Sequence, residues 1–241
     1  MVRIGRQHAI DTLLGSCCNV RDNRVCWHDS KIRGMEGSGL MTLAAVEAKR
    51  PRAIIVVDGT NLVRRCRDCF GRSDIDYPKL FDSLVHDADL VQVHYCTAPY
   101  VRQHDEKQYA EQMGLFNHLK SLPNTLVHKG RHEETYVRCK LCKRQYRIAR
   151  EKGTDVTVAT LLLTAAFRKQ AERLILISGD TDFVPALEIA RKEGAKCEVA
   201  FVVGPEENEF AKLNQAGPLR SQCHRYMKLD AQFMDDKWFR K

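Results

Sequence analysis

No apolar run in this chain of 241 residues is long enough to cross a bilayer, which excludes a membrane-spanning protein of the helical kind. No secretory leader is expected either. The stretch Leu13-Leu14-Gly15-Ser16-Cys17 has the outline of a lipoprotein cleavage site, but no apolar core precedes the cysteine and Asp11 interrupts what there is. Acid is in short supply: 31 Asp and Glu stand against 39 Lys and Arg, a net charge of +8 that favours phosphate-rich partners. There is no Gly-x-Gly-x-x-Gly, so the dinucleotide fingerprint of flavin and nicotinamide enzymes is absent. Ten cysteines without a leader do not describe a secreted disulfide scaffold. Reduced thiols in a cytoplasmic protein are expected, with some free for metal.

Residues 1–50 show no sustained period of 2 or 3.6, and Gly34, Gly37, Ser38 and Gly39 suggest a link. They are expected to form a poorly structured extension, or to precede a true start at Met35 or Met41. From Arg52 the pattern sharpens. Ala53 to Val57 is a continuous apolar run, as for a strand covered on both faces. Strands are expected at 90–96, 124–128, 174–178 and 197–203. Helices are expected at 78–86, 105–122, from Thr154 as N-cap through Ala171, and over the stripe Phe183, Ala186, Leu187, Ala190, which Gly194 ends. The helix after Thr154 is apolar almost all round and should be buried. Strands alternating with helices indicate an α/β fold with a mostly parallel sheet. A domain is expected over 51–204, with a basic insert at 129–151 and a C-terminal helix and strand extension at 205–241.

Three segments bring acids to the ends of apolar elements. Ile54-Ile55-Val56-Val57 stops at Asp58, Lys152-Gly153-Thr154-Asp155 opens a helix, and Leu176-Ile177-Ser178-Gly179 leads to Asp180-Thr181-Asp182. In an open α/β sheet the carboxyl ends of the strands form the ligand crevice. Carboxylates gathered there repel one another unless a cation sits among them. Oxygen ligands of this kind suit Mg²⁺ or Mn²⁺, which bind phosphate oxygens and acidify water. Each acid taken singly also has a plain use as a turn former or helix cap.

These residues carry a resemblance. Val57-Asp58-Gly59-Thr60-Asn61-Leu62, then Glu151-Lys152-Gly153-Thr154-Asp155-Val156, then Ser178-Gly179-Asp180-Thr181-Asp182-Phe183-Val184-Pro185 resemble the NYN domain, within the PIN-like nuclease group. The resemblance covers about residues 52–204. It implies a Rossmann-like three-layer sandwich and a metal-dependent ribonuclease. It also implies an acidic site at Asp58, Asp155, Asp180 and Asp182, supported by the polar groups of Asn61, Ser178 and Thr181. Related chains often carry one more acid six residues after the Asp155 position, where this chain has Leu161.

Cys139-Lys140-Leu141-Cys142 has the ligand spacing of a zinc knuckle. His128 and His132 could complete a zinc site, or Cys66 and Cys69 could do so if the fold brings them near; plain thiols in a hairpin are the other possibility. Similar NYN chains often carry such a pair just before the Lys-Gly-Thr-Asp segment. Basic residues stand around it, among them Arg131, Lys143, Arg144 and Arg147, with Tyr136 and Tyr146 interleaved. Arg64 and Arg65 lie close in sequence to Asp58. Such surfaces suit single-stranded nucleic acid, where charges follow the backbone and rings stack on bases. RNA is therefore the expected partner, no membrane partner is expected, and a homodimer is left open. Two alternatives stand beside the ribonuclease. One is a non-catalytic RNA- or protein-binding module. The other is an NADH-dependent hydroxylase (a monooxygenase) of a succinoyl-pyridine, an activity assigned to one family member in bacterial nicotine breakdown, with a small aromatic acid in the crevice.

Overall fold

Six strands lie side by side: β1 (Arg52–Asp58), β2 (Asp89–Thr97), β3 (Thr125–Lys129), β6 (Arg173–Ile177), β7 (Lys196–Val202) and β8 (Arg225–Leu229). Their spatial order is β3-β2-β1-β6-β7-β8, and every neighbour is parallel. Between β3 and β6 the chain makes an antiparallel hairpin of β4 (Arg131–Arg138) and β5 (Gln145–Lys152). The computed structural model describes residues 49–102, 105–204, 217–234 and 239, without the side chains of 147–149. The expected N-terminal extension lies, but for its last two residues, outside that range, as does the stretch 205–216. Among the described residues no helix is long and apolar enough to cross a membrane.

The sheet is a middle layer because its strands are apolar on both faces. Ala53, Ile55 and Val57 point to one side, where α1 (Gly59–Phe70), α2 (Tyr77–Leu84) and α3 (Glu106–Ser121) bury Leu62, Leu80 and Phe116 against them. Ile54 and Val56 point to the other, under α4 (Thr154–Phe167) and α5 (Val184–Lys192), which contribute Val158, Leu162 and Leu187. Period-2 alternation thus feeds two cores from one strand. The result is the α/β sandwich with a mostly parallel sheet that the PIN-like pattern implies.

Helix α4 departs from expectation in two ways. Thr154 is its first residue and not its cap; Gly153 caps it at φ 87, with no side-chain hydrogen bond. Only glycine adopts that left-handed backbone readily, so Gly153 leaves Thr154 free to point inward. The helix also ends at Phe167, and it is not buried all round: Val156 is 70% and Phe167 56% exposed. Apolar composition shows that a helix can be buried, while only the sheet decides which stripe is.

The strand order reverses direction in sequence beside β1, since β2 flanks it on one side and β6 on the other. A crevice opens at such a switch point beyond the carboxyl ends of the strands. Asp58 closes β1 there, and Ser178 follows β6 directly.

Candidate active site

A relay of hydrogen bonds fixes the two strand ends to each other. Asp58 is the N-cap of α1, its Oδ1 accepting from the Asn61 N–H at 3.0 Å. Its Oδ2 accepts from Ser178 Oγ at 2.9 Å. Ser178 Oγ in turn accepts from the Asp180 N–H at 3.1 Å, and Asp180 Oδ1 accepts from the Asp182 N–H at 3.0 Å. Asn61 Oδ1 ties back to the Gly179 N–H at 3.2 Å. Asp58 and Asp180 are therefore caps as well as candidate ligands. A carboxylate oxygen has two lone pairs, so capping leaves each with acceptor capacity.

The electrostatics go beyond capping. Asp58 is 4% exposed, and burial pushes its carboxyl up to about 6 against the two hydrogen bonds, with Asp155 and Glu151 raising it further. Asp155, on the first turn of α4, is raised by burial and then by Asp180, Glu151 and Asp182. The acids of three separate segments thus feel one another's charge. Among the described residues none of Asp58, Glu151, Asp155, Asp180 and Asp182 forms an ion pair, whereas carboxylates elsewhere in the chain commonly do.

Glu151 is the residue that sequence reasoning passed over. It stands at the foot of the hairpin, where its Oε1 accepts from Thr60 Oγ1 at 3.1 Å and from the Ala98 N–H at 3.2 Å. Thr60 and Thr97 share a further hydrogen bond of 3.0 Å. Its signal was adjacency: it heads the Glu151-Lys152-Gly153-Thr154-Asp155 segment. The position where related chains carry another acid holds Leu161, half-buried against the core of α4 and α5. Glu151 brings a further carboxylate, whose charge raises both Asp58 and Asp155.

This donor set fits a hard divalent cation by chemistry: all oxygen, with surplus negative charge. The side chains stand apart, and among the described residues no three His, Cys, Asp or Glu are close enough to hold an ion by themselves. Mg²⁺ commonly takes one or two carboxylates and fills its shell with water and substrate phosphate. Thr154 Oγ1, next in sequence to Asp155, is buried and has no hydrogen bond among the described residues.

Two hollows flank the acids. One of about 280 Å³ is lined by Asn61, Arg64, Arg65, Asp180 and Thr181. The other, of about 460 Å³, lies between α1, α3 and the hairpin foot, and is lined by Tyr77, Tyr95, Tyr100, Arg67, His132 and Glu151 among others. Its size falls in the range of small-molecule sites. Tyr95 reaches it only because Gly59 has no side chain; a Cβ there would stand 2.4 Å from the ring. The Tyr77 and Tyr95 hydroxyls bond at 3.2 Å, Arg67 donates to the Tyr100 hydroxyl at 3.2 Å, and His132 Nδ1 is buried with no partner among the described residues.

The remaining expected site residues divide. Arg64 and Arg65 come to the acids. Arg131 stands at the hairpin foot, but Lys143 and Arg144 lie at its tip, and the side chain of Arg147 is outside the described ones. The expected zinc ligands do not meet. His132 pairs with Glu151 at the foot, seven residues before Cys139, which at ~3.3 Å per strand residue is about 23 Å. His128 is bonded to His94 at 2.9 Å on the main sheet. Cys66 is sealed in the core, its thiol pushed up to about 12 by burial.

No curated protein matches the chain in sequence. Among solved structures, a Vibrio parahaemolyticus protein of unknown function is 19% identical, with a TM-score of 0.49 over 79% of this chain and 97% of that one. The family model of the NYN domain matches residues 52–230, from the first residue of β1 to just past β8. The chain belongs to the NYN domain family, which points to nuclease-type work on RNA.

Proposed function

We propose that this protein is a metal-dependent ribonuclease that hydrolyses RNA phosphodiesters at the carboxyl ends of β1 and β6. The observation that carries the reading is the mutual repulsion of Asp58, Glu151, Asp155, Asp180 and Asp182 at the switch point, with no cationic side chain paired to any of them among the described residues. Asp58 and Asp180 would be the principal holders of Mg²⁺ or Mn²⁺. When bound, the ion offsets the charge of carboxylates and phosphate and acidifies water. Ser178 Oγ and the Asn61 N–H keep Asp58 in place through the hydrogen bonds described. Asp155 and Asp182, both exposed, hold and orient the water that attacks in line, or serve a second ion. Arg64 and Arg65 take the flanking phosphate in the smaller hollow, and the larger, tyrosine-lined one accepts a base.

The test is cleavage of a labelled single-stranded RNA with Mn²⁺, comparing wild type with Asp180→Asn. Wild type should cut and the variant should not. Equal cutting by both would remove the acids from the mechanism. Tight RNA binding by wild type without turnover, in Mg²⁺ and in Mn²⁺, would make this a binding module and overturn the proposal.

A further inference from the structure

The tip of the β4–β5 hairpin belongs to neither hollow and takes no part in the acidic site. Its backbone is organised around two sulfurs. The Cys139 N–H donates to the Arg144 carbonyl at 2.8 Å, and the Lys143 N–H donates to the Cys139 carbonyl at 3.0 Å. Lys143 takes a left-handed backbone, φ 59, which for a lysine is uncommon and turns the chain back beneath the thiols. These bonds hold Cys139 and Cys142 in one tight turn. Cys142 is exposed, with the Tyr146 hydroxyl 3.5 Å from its sulfur.

The pair has the ligand spacing of half a structural zinc site. Two thiolates at Cys-x-x-Cys spacing leave zinc with two open positions, whereas structural sites are closed with four ligands. Among the described residues no third ligand stands near. A two-fold axis at the tip supplies what is missing, because it brings the same pair again.

We propose that two copies of this chain clasp one zinc ion between their hairpin tips, each giving Cys139 and Cys142 to a four-cysteine centre. The four thiol protons pass to the buffer on binding. Two basic tips repel through Lys140, Lys143 and Arg144 of each copy, and a centre of zinc with four thiolates, net charge −2, offsets part of that repulsion. Surface chemistry favours the pairing. Leu141, between the two cysteines, is 94% exposed, and Tyr136 and Tyr146 beside it are also exposed. Pairing of tips covers apolar groups that a lone hairpin leaves in water. The hairpin is a two-stranded sheet separate from the main one, so its tip meets a partner without disturbing the core.

The experiment is zinc content by elemental analysis together with mass by light scattering, on the full chain purified without chelator. One zinc per two chains, a dimer, and conversion to monomer on stripping the metal are expected. Cys142→Ser should lose zinc and dimer together while keeping the circular dichroism of the folded chain, and Cys139→Ser should repeat the result. A triple change of Cys17, Cys18 and Cys26 to serine should keep both. One zinc per monomer, loss of zinc in that triple variant, zinc-free protein, or a dimer indifferent to chelation would each overturn the proposal.

Discussion

The two ends of the same sheet treat their acids in opposite ways. At the amino edge nearly every carboxylate has a guanidinium. Glu172 bonds Arg52 at 2.7 Å, Glu198 bonds Arg173 at 2.7 Å, and Asp87 sits on the other side of Arg173. Glu172 is held down to about 2 by Arg52, and Asp87 is lowered by Arg173. At the carboxyl edge, Asp58 is pushed up to about 6 and Asp155 is raised, by burial and by one another. The same residue type therefore stabilises one edge and strains the other. An edge built for stability neutralises its charges internally, and an edge built for chemistry leaves them for a ligand.

Charge removal should have opposite signs at the two edges. The largest effect is expected for Arg173→Leu, which leaves Glu198, at 7% side-chain exposure, only the more distant Arg225 at 3.8 Å. Breaking such a buried pair costs about 3–5 kcal/mol, read by urea denaturation, with RNA cleavage per folded molecule unchanged. Asp58→Asn should do the reverse. A carboxyl raised in the folded state contributes stability below its unfolded value, and that stability is lost as pH rises through about 6. At pH 7 without metal, ionised Asp58 costs on the order of 3 kcal/mol. The amide keeps an acceptor for Asn61 and can donate to Ser178, so this variant should melt no lower than wild type at pH 7 while losing cleavage. A lower melting temperature for Asp58→Asn would break the contrast between the edges.

Smaller effects sharpen it. Ser178→Ala removes the hydroxyl that joins Asp58 to Asp180, and should weaken Mn²⁺ binding about 10- to 100-fold, measured by titration calorimetry. Arg64→Ala should weaken RNA binding and reduce the steepness of its salt dependence by about 0.7 for each phosphate left without its cation. An unchanged salt slope would place the RNA backbone elsewhere.

How much of this was legible in the sequence follows from where each signal lies. The strand ends were readable because an apolar run that stops at Asp58, or at Ser178-Gly179-Asp180, announces both the strand and its acid locally. The alternation of strands and helices gave the α/β class, and the order of the motifs gave the PIN-like sandwich through the family resemblance. Glu151 was harder, since a glutamate in a basic strand looks like a solvated charge; only the hairpin foot folding over Thr60 and Ala98 gives it a place. The cap at Gly153 was hidden by a better-looking Thr154. The zinc ligands were misjudged by distance. His132 and Cys139 are close in sequence, but an extended strand turns seven residues into about 23 Å. The pairing of Arg173 with Glu198 joins neighbouring strands 25 residues apart and has no local pattern at all.

If the carboxyl edge is strained because it is built for a divalent cation, supplying the cation should relieve the strain. The melting temperature at pH 7 across a Mn²⁺ titration, for wild type and Asp180→Asn, reads this directly. A ligand that binds only the folded state raises stability with its concentration. The expected result is a rising melting temperature for wild type and a flat one for the variant. No rise in wild type, or an equal rise in both, would contradict a cation site at these acids.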